Sequence, residues 1–252
     1  SLPVPKNLKE LESYIEEINE TYYQGGITHM NQTEKKAILV VSFGTSYHAT
    51  REVTIDAIEK EIAAAYPDYR IYRAWTSKMI IAKLKKRDNI HIFTVKEAME
   101  QMIADGIADV IIQPTHVING IENDLMKEDA LSYRDQFHSI RFGTPLLTSE
   151  EDNRAIIQAV TSEFQDLSQE EVLVLMGHGT THYANSIYAA LDYTFKDYGH
   201  KNIFLGTVEA YPSMQSLLRM VKEYQPKRVV LAPFMIVAGD HARNDMAGED
   251  PD

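Results

Sequence analysis

The 252-residue chain contains no cysteine. That absence excludes disulfides, thiolate nucleophiles, cysteine zinc sites and iron–sulfur clusters, so any bound metal has to be held by His, Asp or Glu. Positive charge is also scarce: 25 Lys and Arg stand against 37 Asp and Glu, a net charge of −12. A generic binder of nucleic-acid phosphates needs a basic face, and this composition argues against one. No apolar run approaches the ~18 residues of a membrane span, and residues 1–34 show neither a basic start nor an apolar signal core. The sequence opens on Ser1 rather than Met, so a periplasmic location after removal of a leader stays open beside the first expectation, the cytoplasm. Three motifs are missing as well. Without Gly-x-Gly-x-x-Gly or a Walker lysine there is no case for a nucleotide site, and without Gly-x-Ser-x-Gly there is none for a serine-hydrolase elbow.

What is present is an ordinary globular mixture, 44% hydrophobic and 25% charged, enough apolar surface to offset chain entropy over most of the length. Residues 1–35 read as a polar extension with one amphipathic helix, because Leu8, Leu11, Ile15 and Ile18 share a face and Gly25-Gly26 then breaks the pattern. From Lys36 onward strands and helices alternate. Ala37–Phe43, Tyr69–Trp75 and Ala108–Gln113 have the apolar character of buried parallel strands, with helix faces between them at Ile58, Ile62, Ala65 and at Val95, Met99, Met102, Ile103. The order repeats. Glu171–Met176, Ile203–Val208 and Arg228–Pro233 are strands, separated by helix faces at Ile187, Tyr188, Leu191, Phe195 and at Met214, Leu217, Leu218, Val221. This predicts an α/β protein of two similar lobes, each a parallel sheet flanked by helices. The lobes are expected over 36–148 and 149–252, with the boundary near Pro145–Glu151. The segment from Ala37 to Ser46 matches that from Val172 to Thr181, setting Gly44 over Gly179 at an offset of 135 residues. Asp109–Pro114 matches Arg228–Pro233 at an offset of 119, so a first-half insertion of 16 residues is expected near the basic stretch 78–94.

In open α/β sheets ligands bind beyond the carboxyl ends of the strands. Three strand ends in the second half carry candidate donors: His178 between Gly177 and Gly179, Glu209 after Ile203–Val208, and His241 in Gly239-Asp240-His241. Their spacings of 31 and 32 residues fit successive βα units, so the three can converge. Two imidazoles and a carboxylate form a borderline donor set, suited to Co²⁺, Ni²⁺, Fe²⁺ or Zn²⁺ more than to Mg²⁺ or Ca²⁺. Asp240 reads equally as a partner orienting a ligand and as a solvated loop carboxylate. In the first lobe Gly44, Thr45 and Ser46 form the counterpart of the His178 loop, where hydroxyls and amides at a helix start can receive carboxylates or simply cap the helix. His116 occupies a matching strand end and reads either as a lining residue of the same cleft or as packing. Lys78, Lys83, Lys85, Lys86 and Arg87 read first as a solvated face and second as an anchor for an acidic ligand.

Several ordered motifs carry a resemblance. Leu39–His48, Met79-Ile80-Ile81 with Lys85–Asp88, Met176–Gly179, Val208–Pro212, Val237–Ala242 and Asn244–Ala247 are similar to the anaerobic sirohydrochlorin cobaltochelatases, the class II tetrapyrrole chelatases. The similarity runs from about Lys36 to the end. It implies two lobes around a tetrapyrrole cleft, with His178, Glu209 and His241 as metal-binding and catalytic residues; Gly44, Thr45, Ser46 and His116, from the reading of the first-lobe strand ends, are the candidate substrate contacts. It also implies Co²⁺ as a substrate, with Ni²⁺, Fe²⁺ or Zn²⁺ as alternatives, and no organic cofactor. The implied partner is a tetrapyrrole, without nucleic acid or membrane span, and homo-oligomerisation is left open. Sirohydrochlorin is rich in carboxylates, so Thr45, Ser46, Arg51 and Lys78 are expected to offset the negative protein locally. The competing expectations are a non-catalytic haem, tetrapyrrole or metal carrier, and iron or nickel insertion of the ferrochelatase type. Members of the family continue past the Gly-Asp-His loop with a further strand and helix, so the second lobe is expected to be incomplete at Asp252.

Overall fold

The computed structural model describes residues 35–236. The expected helix of the N-terminal extension, His241 and Asp240 all lie outside them.

The first sheet is all-parallel, built from β1 (Lys36–Ser42), β2 (Arg70–Trp75), β3 (Asp109–Pro114) and β4 (Ser139–Phe142) in the order β2-β1-β3-β4. The helices that cross between these strands are α1 (His48–Val53), α2 (Ile55–Ala65), α3 (Lys78–Asp88), α4 (Val95–Ala104) and α5 (Ile121–Leu131). α6 (Glu150–Glu163) leads into the second sheet, also all-parallel, with β5 (Glu171–Gly177), β6 (Ile203–Thr207) and β7 (Arg228–Pro233) in the order β6-β5-β7. Its helices are α7 (Ser186–Asp197) and α8 (Met214–Tyr224). The architecture is therefore the expected α/β pair of helix-flanked parallel sheets. Among the described residues no helix is long and apolar enough to cross a membrane.

Central position explains composition. β1 is buried at every residue after Lys36, and β5 at every residue after Glu171, because each runs between two neighbouring strands with helices on its faces. Leu39, Val41, Met99, Met102 and Ile112 form the heart of the first core, and Leu173, Leu175, Leu191, Phe195 and Leu205 that of the second. Each such side chain contributes about 1.5–3 kcal/mol relative to exposure. Helix starts are fixed locally. Thr94 with Glu97 and Ser149 with Asp152 each satisfy one another's orphan amides in a capping box, and Ser77 caps α3 through the Ile80 N–H. The two lobes also share packing: Val117 and Ile118, in the loop after β3, lie against the second core.

The internal repeat is reproduced in the hydrogen bonds at the ends of β1 and β5. At the end of β1 the carbonyls of Ser42 and Phe43 accept from the N–H groups of Thr76 and Ser77 at 2.9 and 3.1 Å. At the end of β5 the carbonyls of Gly177 and His178 accept from Val208 and Glu209, both at 3.0 Å. On the other side Val41 pairs with Pro114 and Met176 with Pro233. Hence Phe43 stands where His178 stands, and Ser77 where Glu209 stands. The additional first-half residues correspond to an extra helix: α3 and α4 both separate β2 from β3, whereas α8 alone separates β6 from β7.

Candidate functional site

His178 and Glu209 meet because their strands are neighbours. β5 and β6 pair in parallel with Gly177 beside Thr207, so the next residues leave the sheet together at its carboxyl edge. The Glu209 N–H donates to the His178 carbonyl, which locks the two loops in register. Their side chains stand about half exposed, 49% and 54%, with His178 Nδ1 3.7 Å from Glu209 Oε2. Nδ1 also lies 2.9 Å from the Gly179 carbonyl oxygen. A carbonyl only accepts, so that contact puts the proton on Nδ1 and the metal-binding lone pair on Nε2.

Gly179 makes this approach feasible. Its φ is +87°, and a Cβ there would lie 2.9 Å from both the Ala210 backbone nitrogen and Thr207 Cβ. The His178 loop thus rests directly on the backbone beside Glu209 at a point where only hydrogen fits. Two further groups bind the loops together. Asn185 Oδ1 accepts from the Thr180 N–H at 2.9 Å while its Nδ2 donates to the Tyr211 carbonyl at 2.6 Å. Thr207 Oγ1 accepts from the Ala210 N–H at 3.1 Å, and the Thr207 hydroxyl and N–H both reach the Pro212 carbonyl. The donor pair sits on a cross-braced platform.

Among the described residues no group of three or more His, Cys, Asp or Glu is gathered closely enough to hold a metal ion. Two of the three expected donors are adjacent, and the third, His241, lies outside the described residues.

The first-lobe candidates differ in exposure. Gly44, with φ +105°, adopts the same left-handed turn as Gly179 but closes on Trp75, whose Cε3 would be 2.6 Å from an added Cβ. Thr45 and Ser46 are buried; Thr45 Oγ1 accepts from the Tyr47 N–H, and the Ser46 carbonyl accepts from Arg87. Phe43, in contrast, is 42% exposed, so this lobe presents an apolar ring at the position where its counterpart presents an imidazole. Ser77 serves as the helix cap described above. His116 has both ring nitrogens buried, with no hydrogen-bond partner among the described residues. Burial holds its pKa below the ordinary histidine value; Glu122 and Asn123 lie near enough to pull weakly in the other direction. Arg51 pairs with Asp56 at 3.3 Å, while Lys78, Lys83, Lys85 and Lys86 are exposed on α3.

Residue-by-residue reading of the sequence missed Asn185 and the pair His182–Asp124, in which His182 Nε2 lies 3.0 Å from Asp124 Oδ2 across the two lobes. Asn185 precedes a helix and reads as an ordinary cap, yet its side chain makes no cap bond and is spent on the two loops instead.

Comparison with known proteins gives this arrangement its context. Residues 36–252 match the model of the family described as cobalt chelatase (CbiK). The chain is 43% identical over 220 residues to the sirohydrochlorin cobaltochelatase of Salmonella typhimurium, covering 86% of this chain and 82% of the relative. It is 29% identical over 231 residues to the sirohydrochlorin cobaltochelatase CbiKC of Nitratidesulfovibrio vulgaris, covering 89% and 79%. With so much of both its own length and theirs aligned, and with a His and a Glu paired at adjacent strand ends, the chain belongs to the cobalt chelatase (CbiK) family.

Proposed function

We propose that the protein inserts Co²⁺ into sirohydrochlorin, with His178, Glu209 and His241 as the donors that present the ion. The observation that carries this reading is the pairing of His178 with Glu209 at the carboxyl edge of the second sheet, in a chain 43% identical to a sirohydrochlorin cobaltochelatase.

The chemistry fits the residues. Insertion exchanges two pyrrole N–H protons of the ring for one divalent ion, so charge balances without electrons and no organic cofactor is needed. The ion must be held firmly enough to be delivered and loosely enough to leave. Half-exposed donors such as His178 and Glu209 serve that purpose, because their exposure leaves room for the macrocycle nitrogens to take the ion over. Glu209 supplies a negative charge that attracts Co²⁺ and partly offsets its charge as the ring approaches. An imidazole bound to the ion through Nε2 has no lone pair left there for a proton, so each pyrrole proton passes to a donor as that donor releases the metal. The same donor set accepts Ni²⁺, Fe²⁺ or Zn²⁺, whose affinities differ by the Irving–Williams order and not by a change of site. Phe43, half-exposed at the pseudo-equivalent position, offers the flat ring an apolar surface without competing for the metal.

The test is the absorbance of sirohydrochlorin mixed with Co²⁺ and catalytic protein. The proposal expects many insertions per protein and their loss in His178→Ala. Saturation at one equivalent of tetrapyrrole or cobalt would instead describe a carrier.

A further inference from the structure

The His182–Asp124 contact joins the two lobes at the site, and the proposed reaction assigns it no role. His182 belongs to the same loop as His178, and Asp124 lies in the first turn of α5, on the first lobe. The histidine is held firmly from its own side. Its side chain is only 11% exposed, Nδ1 accepts from the Ala184 N–H at 3.0 Å, its own N–H donates to Thr180 Oγ1 at 3.1 Å, and its ring lies 4.1 Å from that of Tyr183. Because Nδ1 accepts, the ring proton is on Nε2 and points at Asp124 Oδ2. Asp124 is the opposite case, a 60% exposed side chain that meets the second lobe through this bond. One end is built in and the other reaches across.

We infer that His182 and Asp124 form a clasp that sets the spacing between the His178–Glu209 platform and the first lobe, and so positions the macrocycle over the ion. The inference rests on the function proposed above and adds a positioning pair to it. Asn185 ties the His178 loop to the Glu209 loop, so whatever holds His182 holds both donors as one block. On the first lobe, α5 begins where the His116–Gly120 loop ends, and Val117 and Ile118 of that loop pack on the second core. The clasp therefore adds a polar tie between the lobes to the apolar packing of Val117 and Ile118. A flat ring gripped between two bodies is sensitive to that spacing, since a displacement of about 1 Å in a reacting geometry costs roughly 10²-fold in rate.

The test uses Asp124→Ala and Asp124→Asn in the full chain. Asp124 is exposed and caps nothing through its side chain, so both variants are expected to fold. Asn keeps an acceptor oxygen for the Nε2 proton and Ala does not. Asp124→Ala is expected to lower kcat about tenfold at saturating sirohydrochlorin, while Co²⁺ affinity measured without tetrapyrrole stays within twofold; Asp124→Asn restores kcat to within threefold of wild type. Lobe spacing is read separately. The chain has no cysteine, so spin labels on Val53→Cys and Tyr193→Cys, at exposed positions of α1 and α7, report one inter-lobe distance distribution. It should broaden in Asp124→Ala and narrow again in Asp124→Asn. An unchanged distribution in Asp124→Ala, a failed rescue by Asn, or a parallel fall in Co²⁺ affinity would overturn the clasp. A wild type that turns over no sirohydrochlorin would overturn the proposed function instead, and the label distances would still decide whether the lobes are clasped.

Discussion

Two glycines adopt the same turn in the two lobes, and only one of them touches the donor platform. That asymmetry gives a sharp prediction. Gly179→Ala forces a side chain into φ +87° and puts its Cβ 2.9 Å from the Ala210 backbone nitrogen. Left-handed backbone costs a non-glycine residue about 1–2 kcal/mol, and the close contact adds to it. A total of about 2 kcal/mol corresponds to a fall in Tm of roughly 4–8 °C for a chain of this size. Gly44→Ala carries the same kind of strain, at φ +105°, and a closer contact with Trp75 at 2.6 Å, so it should destabilise by at least as much. The two part company at the metal. Relief of the Gly179 contact requires Ala210 to move, and Ala210 adjoins Glu209 while Gly179 adjoins His178. Both donors therefore shift together. Gly179→Ala is expected to raise the Kd for Co²⁺ about tenfold, or ~1.4 kcal/mol, and Gly44→Ala to leave it within twofold. Thermal melts and calorimetric titration with Co²⁺ measure the two effects. Equal weakening of cobalt binding by both substitutions, or no effect of Gly179→Ala on either quantity, would refute the argument that the glycine seats the donor pair.

Two further outcomes follow from the same geometry. Asn185→Ala strips partners from the Thr180 N–H and the Tyr211 carbonyl, so unfolding in urea should show a loss of about 1–3 kcal/mol, with a weaker Co²⁺ titration alongside; Asn185→Asp, which keeps one acceptor but no donor, should fall between the two. His116 is held neutral by burial, with its pKa below the ordinary 6.5, so on acidification the unfolded chain takes up the proton first. Stability should fall as pH drops below 6.5 and level off once the lowered pKa is passed, and urea melts of His116→Asn across that window should show a shallower decline than wild type.

Much of the fold was legible because the central strands are continuous apolar runs. β1 and β5 announce themselves in Ala37–Val41 and Val172–Met176, and the glycines that follow mark both turns. β4 was not legible. Ser139–Phe142 is four residues long, half-exposed and at a sheet edge, where neither length nor alternation distinguishes it from a loop. At the site, His178 and Glu209 stood out because each follows a buried strand, the place where an α/β fold exposes side chains. The groups that hold them did not. Asn185 reaches Tyr211 over 26 residues, and His182 reaches Asp124 over 58, so their roles exist only once the loops are folded together. The repeat shows the same division. Similarity of Ala37–Ser46 to Val172–Thr181 is visible in one dimension, whereas the matching of Ser77 with Glu209 emerges only from equivalent hydrogen bonds.

The most direct measurement of the central claim is X-ray absorption of the full chain loaded with Co²⁺, compared with His178→Ala, Glu209→Gln and His241→Ala. The expected spectrum is that of a cobalt ion bound by two imidazole nitrogens and a carboxylate oxygen, with one imidazole lost in each histidine variant and the carboxylate contribution lost in Glu209→Gln. A spectrum without imidazole, or one that none of the three substitutions alters, would contradict it.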